Sequence, residues 1–143
     1  MRKVLIIVVA LIGSYYALEQ STHLRLGSPT SRPTNTELIR AIAERRTGYQ
    51  VHGSGTVTRL LSDDNEGSRH QRFILELDSG QTILVAHNID LAPRVNGLSR
   101  GDTVSFFGEY EWNDRGGLIH WTHHDPGAQH VDGWIDYNGK RYE

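Results

Sequence analysis

From residue 50 onward the chain alternates apolar and polar positions in short runs broken by glycine- and asparagine-containing turns, the period-two signature of half-buried β-strands. Residues 51–61 alternate loosely around Gly53 and Gly55, as a long, bent first strand would. Residues 71–77 alternate cleanly, with Phe73, Leu75 and Leu77 on one side and Arg72 and Glu76 on the other. Asp78-Ser79-Gly80 is a hairpin turn into a third strand at 81–86. Residues 88–98 read as a helical or irregular crossover, and Arg100-Gly101-Asp102 turns into a fourth strand at 103–112. Asn113-Asp114-Arg115-Gly116 reverses the chain into a fifth strand at 117–122. A last small pattern at 133–137 turns at Asn138-Gly139. One helix precedes the strands: Leu38, Ile39 and Ile42 make a narrow apolar stripe, Thr34 with Glu37 forms a capping box, and Gly48 is a stop. Its other face carries Arg40, Glu44 and Arg45, which predicts packing on the outside of a sheet.

These elements predict a mainly β chain: a small five-stranded Greek-key barrel of the OB type, with one N-terminal helix and a C-terminal extension. An SH3-like barrel or an open sandwich is the alternative.

The first 35 residues follow a different pattern. Arg2 and Lys3 precede an almost wholly apolar run at 4–17. That run is short for a spanning helix, which needs about 20 residues, and suits a secretory leader. Tyr15 stands where a cleavage site wants a small residue, so retention as an anchor is the second outcome. Residues 19–35 are polar, with Pro29 and Pro33, and read as a linker. The expected organisation is a signal peptide or membrane anchor at 1–18, a linker at 19–35, and the barrel with its leading helix at 36–143. The expected location is periplasmic, or anchored in the inner membrane facing the periplasm, with membrane contact through the N-terminal segment if uncleaved.

Composition removes several chemistries. The chain has 143 residues, enough for one modest domain, and no cysteine. Disulfides, thiolate-zinc sites, a thiol nucleophile and a lipid-modified cysteine are therefore excluded. The formal net charge of -2 argues against bulk attraction to nucleic acid or to an anionic membrane, so nucleic acid is not a favoured partner.

Histidine is the chemistry that stands out. Pairing strands four and five across the turn at 113–116 sets Glu109 opposite His120, Tyr110 opposite Ile119, and Gly108 opposite Trp121. The core face then holds Phe106, Tyr110, Ile119 and Trp121; the other face holds Glu109, Glu111, His120 and Thr122. An imidazole facing a carboxylate suits a general base or a metal ligand with a supporting partner, and it is also an ordinary cross-strand pair. His123, His124 and Asp125 lie at a strand end that Pro126 terminates. No cofactor is fixed by these residues. The set His120, His123, His124 and Asp125 would suit a divalent transition metal such as zinc, although no spacing here matches a zinc signature. The wider candidate surface carries His70, Arg72, His87, Glu109, His120 and Asp125. Arg69, His70 and Arg72, with Arg94 and Arg100, form a candidate phosphate-binding set that the acidic run at 63–66 opposes. Trp134 and Tyr137 are expected to pin the tail over one barrel opening.

The segments HQRFILEL (70–77), GQTILVAHNIDLAPR (80–94), GDTVSFFGEYEWN (101–113) and GGLIHWTHHDP (116–126) resemble an uncharacterised family of small exported bacterial proteins, a domain of unknown function. The resemblance spans roughly residues 53–133 and implies an exported OB-like β domain; it carries no activity. The functional expectation is an exported periplasmic or envelope binding module for an unknown small ligand or envelope protein. The alternative is a metal-dependent, nuclease-like hydrolase using the same His, Asp and Glu residues, with Asp63, Asp64 and Arg72 supplying cation and phosphate contacts.

Overall fold

A computed structural model describes residues 34–143. The expected leader at 1–18 and nearly all of the expected linker at 19–35 lie outside the described residues. A helix, α1 (Thr36–Ala43), precedes seven strands: β1 (Tyr49–Leu60), β2 (His70–Glu76), β3 (Thr82–Asn88), β4 (Thr103–Glu111), β5 (Leu118–His120), β6 (Trp134–Tyr137) and β7 (Lys140–Tyr142). The strand order is β1-β2-β3-β5-β4, and β4 pairs back onto β1 to close a five-stranded barrel. Neighbours are antiparallel except β3 and β5, which run parallel through Leu84↔Leu118 and Val85↔Ile119. This is the OB-type barrel that the alternation pattern predicts.

The interior is built by every second residue. Val51 and Val57 of β1, Phe73 and Leu75 of β2, Ile83 and Val85 of β3, Val104, Phe106 and Tyr110 of β4, and Ile119 of β5 are all at most 1% exposed. The crossover from β3 to β4 contains no helix. Asn88 Oδ1 accepts the N–H groups of Asp90 and Leu91, making a turn, and Pro93 follows. The buried Gln71 amide then bonds both the N–H and the carbonyl of Val95, seating Val95 in the core.

Two expectations about the helix change. Asn35, not Thr34, is the N-cap, and its side chain makes no cap bond. The Asn35 amide instead bonds both the carbonyl and the N–H of Ser54, 2.9 Å each, tying the helix entrance to β1. The helix does not ride outside the sheet: Leu38 and Ala41 are 0% and 1% exposed and belong to the barrel's own core.

The tail also differs. β6 pairs with β4 through Ser105↔Asp136, Phe106↔Ile135 and Phe107↔Trp134, on the edge that β5 occupies at Glu109–Glu111. β5 and β6 therefore share one edge of β4, and the chain between them is an excursion at 121–133. Trp134 joins a ring cluster with Phe107 and His52. The Tyr137 hydroxyl lies 2.7 Å from Asp102 Oδ2 and 3.0 Å from the Gly97 carbonyl, so it fastens the crossover loop rather than a barrel opening.

The predicted facing of strand five fails beyond His120. The register Glu109↔His120 and Tyr110↔Ile119 is as expected. Trp121, however, adopts a left-handed φ of 51°, which ends the ladder and reverses the alternation. Thr122 goes into the core at 0% exposed, and Trp121 turns to the outer side, half-buried. Gly108 accordingly makes room for Thr122 rather than for an indole: a Cβ there would meet the His120 carbonyl at 2.5 Å and Thr122 Cγ2 at 2.8 Å.

Candidate metal centre on the outer barrel face

Glu109 and Glu111 are two residues apart on β4, so both side chains leave the same face of the strand. The β4–β5 register sets His120 directly across from Glu109. His120 Nε2 lies 3.5 Å from Glu109 Oε1 and 3.3 Å from Glu111 Oε1, and all three ligand atoms fall within 4.8 Å of one another. The Nε2 atom is shielded from solvent and has no hydrogen-bond partner among the described residues. Its distances exceed the 2.7–3.1 Å or so of a charge-assisted N–H···O bond. They match the edge of a tetrahedron about a small cation: ligands at about 2.0–2.1 Å from zinc stand about 3.3–3.4 Å apart. Gln50 of β1 pairs with Glu109 from the other side, and its amide nitrogen is likewise buried without a partner.

The excursion at 121–133 overhangs this cluster. The His130 ring stacks on Trp121 with centroids 3.7 Å apart and 14° between planes, and His130 Nδ1 is 3.8 Å from Glu109 Oε2. Two aspartates hold the loop in shape. Asp125 accepts the N–H groups of Gly127, Gln129 and His130 at 2.9, 2.7 and 2.8 Å. These amides, that of His130 foremost, hold its carboxyl below the usual carboxylate range. Asp132 Oδ1 accepts the Asp125 N–H at 2.7 Å and Oδ2 pairs with His124 Nδ1 at 2.8 Å, which lowers the Asp132 carboxyl too. Replacing Asp125 with Asn leaves one acceptor for three amides. Amide exchange at Gln129 and His130 should then rise on the order of tenfold, read by hydrogen exchange. Unchanged protection would show that the loop is held by other means.

The structure distributes the sequence candidates over several environments. Glu109 and His120 meet as expected, and Glu111, two residues on from Glu109, joins them. The proposed ligand set His120, His123, His124 and Asp125 does not assemble. His123 Nδ1 donates to the His124 carbonyl at 2.7 Å, His124 is taken by Asp132, and Asp125 is committed to backbone amides. On β2, His70 Nδ1 bonds the Ser68 carbonyl at 2.8 Å, and Arg72 Nε donates to the Ser62 carbonyl at 3.1 Å. His87 is not on the surface at all. It continues the inward series Ile83, Val85, His87 and is 0% exposed. Its Nε2–H donates to the Pro93 carbonyl at 3.1 Å, and Nδ1 accepts from the Thr122 hydroxyl at 2.9 Å. Burial drives its pKa down to about 4, against the opposing pull of the Pro93 bond, with His123 adding to the fall. Arg69 and Arg94, expected to help hold a phosphate, are instead paired with Asp90 and Asp63. The carboxylate–histidine cluster takes no member from Asp63 or Asp64, the acidic residues that the hydrolase alternative required.

The fold and this cluster define a closed five-stranded OB-type barrel bearing a carboxylate–histidine group on its outer face. Residues 23–143 match the model of the family described as "Protein of unknown function (DUF3465)", and the chain belongs to that family. No curated protein matches it.

Proposed function

We propose that the protein is an exported, divalent-cation-binding interaction module of the cell envelope, with Glu109, Glu111 and His120 as its ligands. The observation that carries this reading is His120 Nε2, shielded, unpartnered, and set 3.3 and 3.5 Å from two carboxylate oxygens. One imidazole and two carboxylates suit zinc or a neighbouring transition ion. His130 is the supporting partner: it reaches toward Glu109 from a loop that Trp121 stacking holds in place. An ion bound here would link the β4–β5 hairpin to the excursion loop and so set the surface offered to a small ligand or an envelope protein. Export is supported by the Arg2-Lys3 start and the apolar run at 4–17.

The test is a thermal shift of metal-free protein titrated with zinc chloride. Saturation at one hundred times Kd adds about 2.7 kcal/mol, which should raise Tm by several degrees. His120→Ala and Glu109→Gln should abolish the shift. His124→Ala should keep it, because His124 is paired with Asp132 away from the cluster. No shift, or a shift that survives His120→Ala, would reject the site.

A further inference from the structure

A separate concavity lies elsewhere on the barrel. A groove of about 440 Å³ runs across the outer faces of β1, β2 and β3 to the β4–β5 turn. Arg59, Arg72 and Arg115 line it together with Ile74, Leu84 and Asn113. No carboxylate and no aromatic ring lines it. Among the described residues Arg59, Arg72 and Arg115 enter no ion pair, whereas Arg40, Arg46, Arg69, Arg94 and Arg141 are each neutralised by an acidic neighbour. Three guanidiniums without an acidic partner thus line one concavity. Like charges gathered this way repel. A bound anion relieves that repulsion.

We propose that this groove binds the diphosphate group of a small phosphorylated molecule. Guanidinium forks match phosphate oxygens in pairs, so three of them suit a multiply charged phosphate better than a single carboxylate. The volume falls within the range of about 300–1,000 Å³ typical of small-molecule sites. Single-stranded nucleic acid is the weaker fit, since base recognition relies on aromatic stacking platforms that the groove lacks. The set is also independent of the cation cluster, sharing no residue with Glu109, Glu111 or His120.

Calorimetric titration of the EDTA-treated protein at 0.15 M salt with inorganic pyrophosphate tests the proposal, and EDTA keeps the cation site out of the measurement. Pyrophosphate should bind saturably and about tenfold or more tighter than orthophosphate. Arg59→Gln and Arg115→Gln should each weaken it about tenfold with Tm unchanged, because both side chains are exposed and unpaired. Arg72 is left in place because it also holds the Ser62 carbonyl. Absence of saturable heat, affinity that survives both substitutions, or tighter binding of a short single-stranded oligonucleotide than of pyrophosphate would overturn the assignment.

Discussion

Gly133→Ala should cost about 3–5 kcal/mol, a large part of the 5–15 kcal/mol or so that a domain of this size possesses. The added methyl carbon would stand 1.9 Å from the Trp121 carbonyl oxygen, 2.6 Å from the Phe107 carbonyl oxygen and 2.9 Å from Thr122 Cα. All three are backbone atoms, so no rotamer change relieves the collision, and the cost exceeds the usual ~1–3 kcal/mol of overpacking a core. The chain must instead pull Gly133 away from β4. That breaks its N–H bond to the His123 carbonyl and draws Trp134 and Ile135 out of register with Phe107 and Phe106. Gly139→Ala is the control. It sits at a φ of +73° with nothing within 4 Å of the added carbon, so it pays left-handed strain of only about 1–2 kcal/mol. Urea midpoints of the two variants decide the matter. A Gly133→Ala protein within about 1 kcal/mol of the wild type would mean that the β4–β6 seam yields to the added methyl without losing its pairing.

Acid should destabilise the barrel from about pH 6.5 downward through one buried histidine, His87. His87 binds a proton near pH 6.5 when unfolded and near pH 4 when folded, because the folded site buries it. As pH falls from 6.5 to 4, the unfolded state therefore takes up a proton that the folded state refuses, and stability drops by roughly 3 kcal/mol. Below pH 4 both states are protonated and this slope ends. Asp125 and Asp132 act in a lower window: their depressed carboxyls stabilise the fold at neutral pH, and that contribution is lost as pH falls below the unfolded value near 3.8. Unfolding free energies measured every half unit between pH 7 and pH 4 should show the slope. His87→Gln, which keeps polar atoms near Thr122 and Pro93 but does not titrate, should flatten it. A slope that persists in His87→Gln would assign it to another group.

Much of the barrel is legible in the chain because period-two alternation and turn residues act locally. The four-residue turn at 113–116 settles the β4–β5 register, so Glu109 facing His120 follows from counting. Glu111 follows equally, being on the same face two residues on. The failures share a cause: the deciding contact is distant in sequence or lies in a single dihedral angle. Nothing in the alternation shows that Trp121 will take a left-handed φ, and that one angle exchanges the fates of Trp121 and Thr122. His87 continues an inward series, yet a polar residue at such a position reads as exposed until Thr122 and Pro93 are seen to receive its ring nitrogens. Asp132, which organises the excursion loop, is seven residues from the Asp125 N–H that it accepts and has no motif to mark it. The arginine groove is hidden for the same reason. Arg59, Arg72 and Arg115 are far apart in sequence and meet only on the closed surface, while the more evident Arg69 and Arg94 are neutralised.

The seam between β1 and β4 joins residues 47 to 61 positions apart, from Thr56↔Thr103 to Tyr49↔Tyr110. Such long-range pairing is the slow part of folding, since the entropy of a large loop must be given up before the strands reward it. Glu109, Glu111 and His120, by contrast, lie within the twelve residues from 109 to 120 and come together in one tight hairpin. Their assembly needs no ring closure. On the folding clock the carboxylate–histidine cluster belongs to a microsecond event and the barrel to a later one, so an ion captured by the hairpin, if the cluster is the cation site proposed above, would stabilise β4 in its final shape while β1 is still searching for it.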